Sequence, residues 1–121
     1  MIEHLGEYIK GILPESVSPV FVGELPSLST EGVAINLYDG NPNTEFLGMN
    51  NTIYYPLVQI VTRTLTYDKG ATFIKDIRET LQYFTSEDIM GILQVGSLLY
   101  LGRNEQKLCE FQLTFKIIVK E

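Results

Sequence analysis

Between Tyr55 and Phe84 the apolar residues change their period: the run YPLVQIVTRTL reads as a strand, and within three residues it passes into DKGATFIKDIRETLQYF, which reads as a helix. A second long strand is predicted over 107–120, where Cys109, Phe111, Leu113, Phe115, Ile117 and Val119 alternate with Glu110, Gln112, Thr114 and Lys116. A chain carrying both periods must pack a helix stripe onto a sheet face. The expected fold class is α+β, with a mixed, mostly antiparallel sheet of about four to five strands and two helices on one face. At 121 residues the chain fits a single domain, 1–121, large enough to remove roughly two thirds of its unfolded surface from water.

The remaining elements follow from local signals. Ile2, Leu5, Ile9, Ile12 and Leu13 recur at helical spacing until Pro14 stops them. This short helix has Glu3, His4, Glu7 and Lys10 on its wet side. Val20–Val22 is a short apolar run, and Gly32–Tyr38 a second strand after a Pro/Ser/Thr loop, so the two are expected to form an antiparallel pair. The segment 39–52, DGNPNTEFLGMNNT, is rich in Gly, Asn and Pro and is expected to be a long exposed loop. Phe46, Leu47 and Met49 inside it suggest a contact that orders on binding, against the alternative of a hairpin connection folded back on its own core.

The strand after Pro56 is apolar in both phases: Leu57, Val61 and Leu65 share a face with Gln59 and Arg63, while Val58 and Ile60 occupy the other. That suits a central strand covered by helices on one side and by a neighbouring subunit on the other. Asp68 is placed to cap the following helix. Its apolar stripe is Ala71, Ile74, Ile77, Leu81 and Phe84, with Lys75, Asp76, Arg78 and Glu79 opposite. From Ile89 to Arg103 the sequence reads as one or two strands bent at Gly96, and 104–107 reverses the chain into the last strand.

Charge and chemistry narrow the function. Residues 1–59 hold seven acids against Lys10 alone, and residues 60–121 eight acids against eight bases, so the whole net charge of -6 is N-terminal. Neither half offers the basic stripe a nucleic-acid reader needs. No run approaches the roughly 18 apolar residues of a membrane span, so a cytoplasmic protein with no membrane partner is expected. Cys109 falls in the apolar phase of the last strand and reads as a small buried hydrophobe. His4 has no partner in the pattern, and Glu87 and Asp88 read as a solvated helix end. Catalytic, metal-binding and cofactor-binding residues are each expected to number none, because no acid and base, ligand cluster, phosphate loop or nucleophile with its histidine is in evidence. An enzyme or small-molecule binding domain would need a deep pocket that no residue constellation foretells.

The segment YYPLVQIVTRTLTYDKGATFIKDIRETLQYF followed by LGRNEQKLCEFQLTFKIIV resembles the phage minor capsid proteins understood as tail terminators of long-tailed bacteriophages, from Gly32 onward. The residues that carry the resemblance are Pro56, Gln59 and Arg63 in the central strand, Tyr67 and Ala71 opening the helix, and Gly102 and Glu105 leading into Phe111 and Phe115. It implies a subunit that assembles as a ring, usually a hexamer, on the head-proximal end of the tail tube. There it would stop tail polymerisation and join the tail to the head connector, with DNA passing through the hole unread. The expected partners are copies of itself, the tube protein and the connector protein; the expected place is the virion, after synthesis in a bacterial cytoplasm with a prophage as one source. The expected protein-interface residues are Phe46, Leu47, Met49, Gln59 and Arg63. The competing reading is a head–tail connector or other protein-binding adaptor that acts as monomer or dimer.

Overall fold

Leu5 and Ile9 stand one helical turn apart and are buried in helix α1 (Leu5–Ile12), which ends before Pro14 as a missing donor requires. The computed structural model describes residues 5–23, 25–27, 30–38, 43–45, 52–82 and 84–120. After α1 come strands β1 (Val20–Val22), β2 (Gly32–Tyr38), β3 (Asn43–Glu45), β4 (Thr52–Tyr54) and β5 (Leu57–Thr64). Helix α2 (Tyr67–Gln82) then leads to the two long strands β6 (Ile89–Arg103) and β7 (Cys109–Lys120). The class is α+β, as the two periods in the sequence require.

The seven strands form one sheet that is five positions wide: β1, β2, β5, β7, β6. Strand β4 lies in the same lane as β5, because Tyr54 and Leu57 face Val119 and Lys116 of β7 while β6 takes the other edge of that strand. Strand β3 pairs with β4, so the segment expected as a loop over 39–52 supplies one strand of an antiparallel pair whose other strand runs on to Tyr54, Asn43 facing Tyr54 and Glu45 facing Thr52. Its turn chemistry is plain in the sequence, but three-residue strands are too short for alternation to register. The expected antiparallel pairing of β1 with β2 is also corrected: they run parallel, Val20 facing Val33 and Val22 facing Ile35. Strands of three residues need so little return path that residues 23–31 suffice as the crossover, and the ladder is fixed by Val33 N–H donating to the Pro19 carbonyl at 2.9 Å and Gly23 N–H donating to the Ile35 carbonyl at 2.8 Å.

The core lies between the helices and one face of the sheet. Every second residue of β7 from Cys109 to Val119 is at most 2% exposed, and these meet Val58 and Ile60 of β5 and Ile89 and Ile92 of β6. From α2 come Phe73, Ile74, Ile77 and Leu81, and from α1 Leu5 and Ile9. Phe84 packs against this cluster and meets Tyr8 edge-on at 6.3 Å. Each fully buried side chain of this size contributes about 1.5–3 kcal/mol by leaving water.

The start of α2 explains how closely helix and sheet approach. A Cβ on Gly70 would stand 2.7 Å from Thr64 Oγ1 and 2.9 Å from Phe111 Cε2, so only glycine lets the first turn lie on β5 and β7. The cap is Thr66, whose Oγ1 accepts the Lys69 N–H at 3.2 Å. Asp68, expected in that role, instead lies inside the first turn, where its charge still favours the positive helix end. Between β6 and β7, Asn104 Oδ1 accepts the N–H groups of Gln106 and Leu108 at 2.9 and 3.0 Å, and Lys107 takes a positive φ of 64°. That turn starts β7 at Cys109, two residues later than the alternation alone indicates.

Candidate assembly surfaces

Because α1 and α2 cover one face only, the other face of the sheet is where β5 and β7 present Gln59, Val61, Arg63, Glu110, Gln112, Thr114 and Lys116, all half-buried. This is the two-faced character read from β5: buried and half-buried residues alternate strictly along it. Gln59 faces Thr114 across the ladder. Arg63 is engaged within its own chain: its Nε donates to Glu110 Oε2 at 2.7 Å and its Nη1 to the Ser27 carbonyl at 2.7 Å, which ties the 25–27 segment to the sheet. The structure therefore brings Gln59 and Arg63 onto one face, with Arg63 already holding two acceptors. Phe46, Leu47 and Met49 lie outside the described residues, as does His4.

The sheet's two edges carry the signal that sequence reasoning missed. Of the ten large hydrophobic side chains that stand exposed among the described residues, six belong to β6 (Met90, Leu93, Val95, Leu99, Tyr100 and Leu101) and two, Val22 and Leu37, to the opposite edge. The only described strand that pairs with β6 is β7; apart from Ile89, held by Ser86, and the Gly96 carbonyl, which accepts from Gln94, the other side of this fifteen-residue strand offers N–H and C=O groups with no partner among the described residues. No charged residue appears in β6 before Arg103. At the far side, β1 covers only Val33 to Ile35, leaving the end of β2 from Asn36 without a neighbour there among the described strands. Neither β1 nor β2 contains a charged residue. Soluble proteins normally protect such edges with lysine, proline or a covering segment. Gly96, at φ 72°, shifts the β6 register between Val95 and Leu99 and twists the strand without breaking it.

The aromatic group at the β6–β7–α2 corner is structural. Tyr67, Tyr100 and Phe111 stand 5.0–5.1 Å apart. A side-chain hydrogen bond with Cys109, ahead of desolvation, raises the Tyr100 phenol above its ordinary value. Cys109 itself is buried. A shallow, open depression over α2, lined by Pro14, Ser16, Asp76, Glu79 and Thr80, has no buried floor, and Ser16 already hydrogen-bonds Asp76 at 3.4 Å. Among the described residues no group of three or more His, Cys, Asp or Glu is placed to hold a metal ion, and no helix is long and apolar enough to cross a membrane.

A sheet with one helix-free face and two apolar-flanked edges of little charge is the outline of a subunit that works through contact with other proteins. Comparison with known proteins gives that outline a family: a model described as bacteriophage tail terminator protein matches residues 3–121, and the chain belongs to that family of phage structural proteins. Sixteen chains of solved structures match in fold. One of them, from the virion of a native gene transfer agent (GTA) particle, has a TM-score of 0.56 at 10% identity, over 98% of this chain and 87% of its own. No curated protein matches in sequence.

Proposed function

We propose that this protein caps the head-proximal end of a phage tail tube as a ring of identical copies, six in the family's usual form, stops tail polymerisation and forms the joint to the head connector. The observation that carries the reading is the family match over 119 of the 121 residues, 3 to 121 inclusive. The edges of the sheet support it, since a ring needs two unlike complementary surfaces on every subunit. DNA crosses the hole without being read, and the N-terminal acid excess, seven acids against one base over residues 1–59, keeps phosphates from adhering to a surface they must pass. The assignment places the protein in the virion at the head–tail interface, after synthesis in the host cytoplasm.

Gln59 on the helix-free face and the triplet Phe46, Leu47 and Met49 are proposed to meet the tube or the next subunit, while Arg63 acts by holding the 25–27 segment in place. The test is genetic and visual. Phage lacking this protein should make tails of irregular length that fail to join heads, and supplying it in trans should restore both; tails of normal length joined to heads in its absence contradict the proposal. Deleting residues 46–49 should abolish complementation while the purified protein keeps its circular dichroism.

A further inference from the structure

We infer that copies of this chain join head to tail by strand addition, the open edge of β6 in one copy pairing with the β1–β2 edge of the next, so that one sheet continues across the subunit boundary. The inference rests on the ring reading and names the contact that makes the ring.

Three observations on the molecule carry it. The exposed large hydrophobics concentrate at the two ends of a single sheet, with Leu93, Leu99 and Leu101 of β6 at 54%, 47% and 50% exposure and Val22 and Leu37 at 42% and 55%. The two edges are separated by four strand spacings, about 19 Å, and face away from each other. Among the described residues each is open along most of its backbone and carries little charge: β6 has none until Arg103 and β1 and β2 none, with Glu45 of β3 standing further along the lane of β2. An uncharged edge matches another uncharged edge, because any acid or base opposite it would be desolvated without a partner.

The shorter edge sets the contact: β1 and the uncovered end of β2, residues 36–38, together offer six residues, about 20 Å, which one β6 of fifteen residues spans with room to spare. Pairing β6 with the β6 of a second copy would satisfy one edge, leave Val22 and Leu37 bare, and close at two copies. Head-to-tail pairing covers both edges.

Two lysine variants at exposed positions, Leu99→Lys on β6 and Leu37→Lys on β2, test this by sedimentation velocity at concentrations where the unaltered protein assembles. Each variant alone should sediment as a monomer, since each lacks one of the two surfaces. Mixed in equal amounts, they should form a heterodimer and nothing larger, because the intact β6 of one meets the intact β1–β2 edge of the other. Assembly of Leu37→Lys like the unaltered protein points to β6–β6 pairing and overturns the inference. Failure of the mixture to dimerise also overturns it, as does an unaltered protein that stays monomeric at millimolar concentration. If either lysine unfolds the chain by circular dichroism, Leu99→Gln and Leu37→Gln replace them, and each should weaken assembly at least tenfold. Rings formed equally by all variants overturn the edge assignment and leave the ring intact, whereas a protein that restores no tail completion in phage overturns the ring reading itself.

Discussion

Strands β6 and β7 are antiparallel neighbours of similar length, fifteen and twelve residues, and they use their hydrophobic side chains in opposite ways. In β7 the apolar residues, Ile118 excepted, keep to one phase and vanish into the core; every second residue from Cys109 to Val119 is at most 2% exposed. In β6 the apolar residues occupy both phases, and only Ile89 and Ile92 are fully buried, while Met90, Leu93, Val95, Leu99, Tyr100 and Leu101 remain in water. Folding accounts for the buried phase of β7 completely. It accounts for β6 only in part: Ile89 and Ile92 join the core and Tyr100 packs on Tyr67 and Phe111, whereas the other exposed side chains and the open edge cost solubility and gain little for the isolated subunit.

That contrast predicts how substitutions should divide. The largest effect belongs to the core side of β7: Phe115→Ala, at a position with 0% exposure, should destabilise the fold by about 3–5 kcal/mol in chemical denaturation through lost transfer energy and a residual cavity. Gly70→Ala comes next, at about 1–3 kcal/mol, because the added methyl meets Thr64 and Phe111; a neutral result would mean that α2 shifts freely on the sheet. Arg63→Ala should cost about 1–3 kcal/mol by leaving Glu110 half-buried without its partner and releasing the Ser27 carbonyl. Thr62→Val should have the opposite sign and stabilise by about 1 kcal/mol, since Thr62 Oγ1 is buried with no hydrogen-bond partner among the described residues. On β6, Leu93→Gln should move monomer stability by less than about 0.5 kcal/mol, while its effect appears in the assembly measured by light scattering. A large stability loss there would merge the two strands into one category and remove the contrast.

The sequence is most readable where one physical demand acts alone. The period-two alternation of β7 and the helical stripe of α2 each answer only to burial, so spacing by itself places the alternate residues from Cys109 to Val119, and Ile74, Ile77 and Leu81, in the core where they lie. Short elements are not readable in this way. Three-residue strands such as β1 and β3 carry no alternation, which is why the direction of β1 and the pairing of β3 with β4 emerge only from the structure. The cap falls to Thr66 rather than Asp68 because both residue types can cap, and the choice depends on where the first turn meets the sheet.

The candidate surface is half legible for a related reason. A strand apolar in both phases can be central and covered, or terminal and bare, and sequence does not distinguish them. The two-faced pattern of β5 reads as a sign of subunit contact, and Gln59 and Arg63 do share the helix-free face; yet Arg63 is held by Glu110 and Ser27. The same two-phase pattern in IMGILQVGSLLYLGR carries the exposed hydrophobics, and only the sheet order shows that this strand lies at an edge.

Amide hydrogen exchange along β6, compared between dilute monomer and assembled protein, tests the account most directly. Amides on the open side of β6 past Ile89, whose own N–H is held by Ser86, should exchange quickly in the monomer and become protected on assembly, together with those at the uncovered end of β2, while β7 stays protected in both. Assembled protein whose β6 amides exchange as fast as those of the monomer would contradict it.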